Sequence, residues 1–129
     1  MKGSDTFTIS NLTKGKLPRL PFEQIKNEAL GEDYELELVF LSSKEMHKIN
    51  LEHHKKDKPT NILSFPLSKK SGQIFICLSV AKKEAPDFDR NYKNYVGFLF
   101  IHGVIHLKGF DHGSTMENEE RKIRTIFEI

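Results

Sequence analysis

The run from Tyr92 to Leu107 is the longest apolar segment in the chain, and it suits a helix buried in the middle of a domain. It falls short of the roughly 18 apolar residues that a membrane span requires, so protein rather than lipid is expected to cover it. Gly109 follows closely and can adopt the positive φ that ends a helix. Whatever else the chain forms must therefore pack around this segment, which carries two histidines, His102 and His106.

The flanking sequence supplies both strands and helices. Phe7-Thr8-Ile9 alternates briefly, and Phe22, Ile25 and Leu30 are spaced for a short helix that Gly31 would stop. Tyr34 to Leu41 reads as a strand, with Tyr34, Leu36, Leu38 and Phe40 on one face. Ser42 offers an N-cap for a helix carrying Met46 and Ile49, and the polar stretch His53 to Pro59 reads as a loop. Asn61 to Phe65 is expected to be a strand ended by Pro66, and Ile74 to Val80 a second strand entered through Ser71-Gly72. A helix near Ser79 to Ala85 would halt at Pro86, and Met116 to Phe127 has the pattern of a last amphipathic helix. The interleaving predicts an α+β or α/β domain of two or three layers.

A chain of 129 residues is expected to form one domain, residues 1–129, with a core that needs no disulfide. The single cysteine, Cys77, sits in an apolar run, as an inert thiol in a reducing compartment would. The N-terminus lacks the layout of a signal peptide, so the expected location is cytoplasmic, with no membrane partner. Charge is unevenly spread: Ser43 to Lys70 holds seven lysines (44, 48, 55, 56, 58, 69, 70) against Glu45, Glu52 and Asp57. A basic stretch of this kind attracts phosphates, and Lys55, Lys56 and Lys58 are the candidate substrate-binding residues.

The chemistry concentrates in His102-Gly-Val-Ile-His106-Leu-Lys-Gly109-Phe-Asp111-His112. A helix advances about 100° and 1.5 Å per residue, so His102 and His106 stand one above the other. A turn at Gly109 is expected to return the chain and bring His112 to the same point from a third direction. Three neutral imidazoles suit Zn²⁺ and leave a fourth position for water, the mark of a catalytic site. Such water has its pKa lowered to about 7. The expected cofactor is one zinc ion per chain, held by His102, His106 and His112. Asp111 is a candidate to orient a ligand histidine or act as a base, and equally a turn residue bonding its own backbone.

The frame H-x3-H-x2-G-x2-H is shared with metzincin proteases, which place their general-base glutamate directly after the first histidine. Here that position is Gly103. Peptide hydrolysis must deliver a proton to a poor leaving group, so the missing acid argues against a protease. A phosphodiester has a better leaving group and responds to nearby positive charge, which the lysine-rich segment offers.

The same residues resemble the signature of the YbeY endoribonuclease and rRNA maturation family. A second match is Asn50-Leu51 followed by Lys56-Asp57-Lys58-Pro59-Thr60-Asn61-Ile62-Leu63-Ser64-Phe65-Pro66, and a weaker third is Gly72 to Cys77. The resemblance runs in order from about Tyr34 to the C-terminus. It implies an α+β fold, a small mixed β-sheet packed with helices, with the metal site at the end of the central buried helix. It also implies a zinc-dependent, single-strand-directed endoribonuclease acting on RNA, notably the 3′ end of small-subunit rRNA, with the three histidines as ligands beside a basic cleft. The small ribosomal subunit and assembly proteins are the partners it suggests. His54 stands where the family usually has an arginine, so a partly charged imidazole replaces a fixed cation, and it joins Asp111 as a candidate catalytic residue. Gln73 stands where the family typically has aspartate. Two other functions fit the residues: a metallohydrolase of small esters or phosphoesters, and a ribosome-associated RNA-binding assembly factor with a structural metal.

Overall fold

The computed structural model describes residues 6–110 and 113–129. Elements run β1 (Phe7–Asn11), α1 (Phe22–Leu30), β2 (Glu35–Leu41), α2 (Ser43–His54), β3 (Ile62–Ser68), β4 (Ser71–Cys77), α3 (Leu78–Glu84), a 3-10 turn (Ala85–Phe88), α4 (Tyr92–Leu107) and α5 (Ser114–Phe127). The strands form one mixed sheet in the order β1-β2-β4-β3. β1, β2 and β4 are parallel, whereas β3 pairs antiparallel with β4 and forms an edge. The fold is the α+β class expected from the sequence.

Alternation along the strands divides the core in two. Leu36, Leu38 and Phe40 of β2 and Ile74 and Ile76 of β4 face α1, α3, α4 and α5. Val39, Leu41, Leu63 and Cys77 point the other way, onto Met46 of α2. The period of two in a strand makes this division automatic once one face is buried. α4 lies at the centre of the larger core, with Val96, Phe100, Ile101, Val104 and Ile105 fully buried. Each such side chain contributes on the order of 1.5–3 kcal/mol by leaving water. No helix among the described residues is long and apolar enough to cross a membrane.

Local signals fix the helix ends. Ser42 and Glu45 form a reciprocal capping box that starts α2, and the Asn91 side chain accepts from the Asn94 amide to start α4. After α4 the chain reaches Gly109 with φ of 111°, a value that L side chains rarely adopt, so the expected break occurs there. Three of the boundaries that differ from expectation bear on the site. β3 continues through Pro66 to Ser68, which an edge strand permits because a proline there need not interrupt an inner ladder. β4 ends at Cys77, and the apolar residues Leu78 to Val80 belong to α3. α2 extends through His53 and His54, so only the residues after them form the loop.

Candidate active site

Gly103 sets how α4 meets the sheet. A Cβ built there would stand 2.9 Å from Ile62 Cδ1, 3.1 Å from Ile74 Cδ1 and 3.1 Å from Ser64 Oγ. The helix thus approaches β3 and β4 through bare backbone at this position. His102, one residue earlier, turns instead to α5. At 100° per residue, His106 lies about 40° from His102 and about 60° from Gly103 around the helix axis. It therefore occupies the sector between α5 and the edge strand. Both imidazoles are half-buried, and Nδ1 of His106 is shielded from solvent.

The His102 ring is tied to α5. Its Nδ1 lies 3.1 Å from Oε2 of Glu120, and Oε1 of the same carboxylate lies 3.7 Å from a guanidinium nitrogen of Arg124. Glu120 is buried on the core face of α5 between Met116 and Ile123. A cavity of about 320 Å³ opens here, bordered by His102, Glu120, Phe98, Arg121 and Arg124. The Arg124 guanidinium is 5.3 Å from the centre of the Phe98 ring, and that of Arg90 is 4.3 Å from it. Burial, and then the neighbouring Arg124 charge, push the Arg90 pKa below its ordinary value.

The lysine loop is built on the other face of β3. Ile62 and Ser64 face α4, so Leu63 and Phe65 point toward α2. The His54 ring stacks on Phe65 at 6.1 Å and 20°, and His53 meets the same ring at 5.2 Å. Beyond them Lys55 takes a left-handed conformation, with φ of 56° and ψ of 30°, and caps α2. The buried Asn50 then donates from Nδ2 to the Lys58 carbonyl at 2.8 Å, and its own carbonyl accepts from the Lys56 amide at 3.3 Å. His47 and Asp57 are linked at 2.7 Å, which ties the acidic residue of the loop back to α2. These bonds fix the loop backbone and leave the side chains of Lys55, Lys56 and Lys58 exposed.

His102 and His106 thus share one end of α4 as expected, whereas His54 and the lysines lie across the edge strand from them. His112 and Asp111 lie outside the described residues. Among the described residues no group of three or more His, Cys, Asp or Glu is placed to hold a metal. The two α4 imidazoles, one of them held through Nδ1 by a carboxylate, fit a zinc site as far as they go. Gln73 donates to Glu37 at 2.7 Å between β2 and β4, so an amide there pairs with a carboxylate where an aspartate would face it as a like charge. Sequence reasoning missed Glu120. Its signal was spacing: Met116, Glu120 and Ile123 fall on one helical stripe, and an acid on an apolar stripe needs a partner.

Similarity to known proteins follows the same architecture. The family model for Endoribonuclease YbeY matches residues 6–128. An Endoribonuclease YbeY from Campylobacter jejuni (strain 81-176) is 40% identical over 103 residues, covering 74% of this chain and 77% of that protein. The Staphylococcus carnosus Endoribonuclease YbeY is 33% identical over 107 residues, covering 74% of this chain and 70% of its own. The solution structure of TM1509 from Thermotoga maritima superposes with a TM-score of 0.69, covering 95% of this chain and 89% of that one, at 22% identity, and supports the fold. With the family model matching almost from end to end, this chain belongs to the YbeY endoribonuclease family.

Proposed function

We propose that this chain is a zinc-dependent endoribonuclease of the cytoplasm that cuts single-stranded RNA during rRNA maturation, at the 3′ end of small-subunit rRNA. The observation that carries this reading is the placement of His102 and His106 on one face at the end of α4, with Nδ1 of His102 on a buried carboxylate. His102, His106 and His112 would hold the ion. When bound, zinc supplies a Lewis acid that activates water or neutralises charge on a phosphate oxygen.

The protein's own residues position the substrate. β3 is an edge strand, with the lysine loop on one face and α4 on the other. An extended single strand crossing that edge reaches Lys55, Lys56 and Lys58 through its phosphates and the α4 histidines through its scissile bond. His54, stacked on Phe65, offers a ring N–H to a phosphate where a guanidinium would offer a fork. Asp111 would orient a ligand histidine or act as a base. Small-subunit assembly intermediates and their proteins are the partners this role requires.

The test is metal analysis of untagged wild type and His106→Ala, with both samples assayed on single-stranded and structured RNA. About one zinc per chain, lost together with cleavage in the variant, is expected. Zinc retained in wild type without cleavage of any RNA would replace the nuclease with an assembly factor that has a structural metal. A wild type without stoichiometric metal would overturn the zinc site.

A further inference from the structure

We infer that Glu120 is a positioning residue whose buried carboxylate fixes the orientation and tautomer of His102, so that one defined ring nitrogen faces the metal. The inference rests on the zinc site proposed above.

Glu120 is only 6% exposed and lies on the apolar stripe of α5. A carboxylate in that setting is costly unless both oxygens are occupied. Its two oxygens are divided between partners: Oε1 lies toward Arg124 at 3.7 Å and Oε2 toward His102 Nδ1 at 3.1 Å. Arg124 is itself placed against Phe98, which keeps the guanidinium on the Oε1 side. An ionised carboxylate only accepts hydrogen bonds, so the proton of a neutral His102 sits on Nδ1 and the lone pair on Nε2. The bond also restrains rotation of the ring. An ion pair with Arg124 alone, one turn further along α5, would need neither the second oxygen nor its alignment with the imidazole.

The deciding measurement is made without metal. Proton–nitrogen correlation spectra of zinc-free protein above the imidazole titration range should show His102 protonated on Nδ1 in wild type, and this state should be lost in Glu120→Leu. Zinc affinity is then read by competition with a chromophoric chelator. Glu120→Leu should weaken binding by about 10–100-fold, and Glu120→Gln, which keeps an acceptor oxygen, by less. Arg124→Met, which removes the ion pair and the guanidinium on Phe98 but leaves the carboxylate on His102, should bind zinc more tightly than Glu120→Leu. Thermal melts of the zinc-free variants check folding, and Glu120→Gln carries the comparison if the leucine variant does not fold. A wild-type His102 protonated on Nε2 overturns the inference. So does a Glu120→Gln variant with wild-type affinity and spectrum, or an Arg124→Met variant as impaired as Glu120→Leu. A wild type that binds no zinc overturns the metal reading instead, while the tautomer still decides the role of Glu120.

Discussion

Gly103 and Ile62 meet so closely that a Cβ on the glycine would stand 2.9 Å from Ile62 Cδ1. The position after the first histidine, where a metzincin carries its general-base glutamate, therefore faces the sheet in this chain. A glutamate there would point into Ile62, Ile74 and Ser64. Gly103→Glu should cost 3 kcal/mol or more, roughly the top of the range for overpacking, with a buried charge added. Gly103→Ala should lie within about 1 kcal/mol of wild type, because better helix propensity offsets contact with a flexible Ile62 terminus. Urea melts of both variants check this, and a Gly103→Glu protein with wild-type stability would refute it.

Tyr34 offers a second test of close packing. Its hydroxyl is buried with no hydrogen-bond partner among the described residues, and a Cβ on Gly72 would stand 2.6 Å from it. An unsatisfied buried hydroxyl loses hydration without return, at a cost of about 1–3 kcal/mol. Tyr34→Phe should therefore leave stability unchanged or raise Tm by a few degrees. Gly72→Ala should lower it, and Tyr34→Phe in the same chain should recover part of the loss. Melting the two single variants and the double variant measures the coupling, and strict additivity would exclude the contact.

These two glycines also show which parts of the molecule were legible in the sequence. α4 was readable because an apolar run of that length allows few alternatives, and its observed bounds match those expected, Tyr92 and Leu107. Ser42 and Glu45 were readable because a capping box is local chemistry. The end of β4 was not, because Ile74 to Val80 is apolar except at Ser79 and carries no period to separate strand from helix. His53 and His54 read as loop by polarity, although imidazoles suit the last turn of a helix. Within the candidate site the shared placement of His102 and His106 at one end of α4 was legible by spacing. The partner of His102 was not, since Glu120 is one acid among several in α5 and only its register with Met116 and Ile123 marks it.

Lys55, Lys56 and Lys58 project from a loop whose backbone is held by Asn50. If these lysines meet RNA phosphates, each contributes about 0.7 to the slope of log affinity against log salt for a single strand. Replacing all three with glutamine should lower that slope by about 2 and weaken binding at low salt, with zinc content unchanged. Asn50→Asp should weaken binding by another route, because it loses the donor to Lys58 and brings a negative charge to a carbonyl. Its salt slope should stay closer to wild type. Filter-binding titrations across a salt series distinguish the two effects, and an unchanged slope in the triple variant would exclude the loop from phosphate contact.

Tyr95 makes stability depend on alkaline pH in a calculable direction. Burial, reinforced by its hydrogen bond to Glu84 at 2.9 Å, pushes its phenol pKa up from 10.0 to about 12. Between those values the unfolded chain has released the proton that the folded chain still holds, so stability falls as pH rises. The contribution is fully present below pH 10 and is lost as pH approaches about 12, amounting to about 2–3 kcal/mol. Tyr34 and Tyr92 are also raised by burial and act in the same direction. Lys26 acts oppositely: burial lowers its pKa, so stability rises with pH as the unfolded lysine approaches its own titration at 10.5. Comparison with Tyr95→Phe isolates one group from this mixture. The variant should be about 1 kcal/mol less stable at neutral pH, for the lost hydrogen bond, and should overtake wild type as pH nears 12. Denaturant melts at several alkaline pH values check the crossing, and parallel stability curves for the two proteins would show that the Tyr95 phenol titrates alike in the folded and unfolded chain.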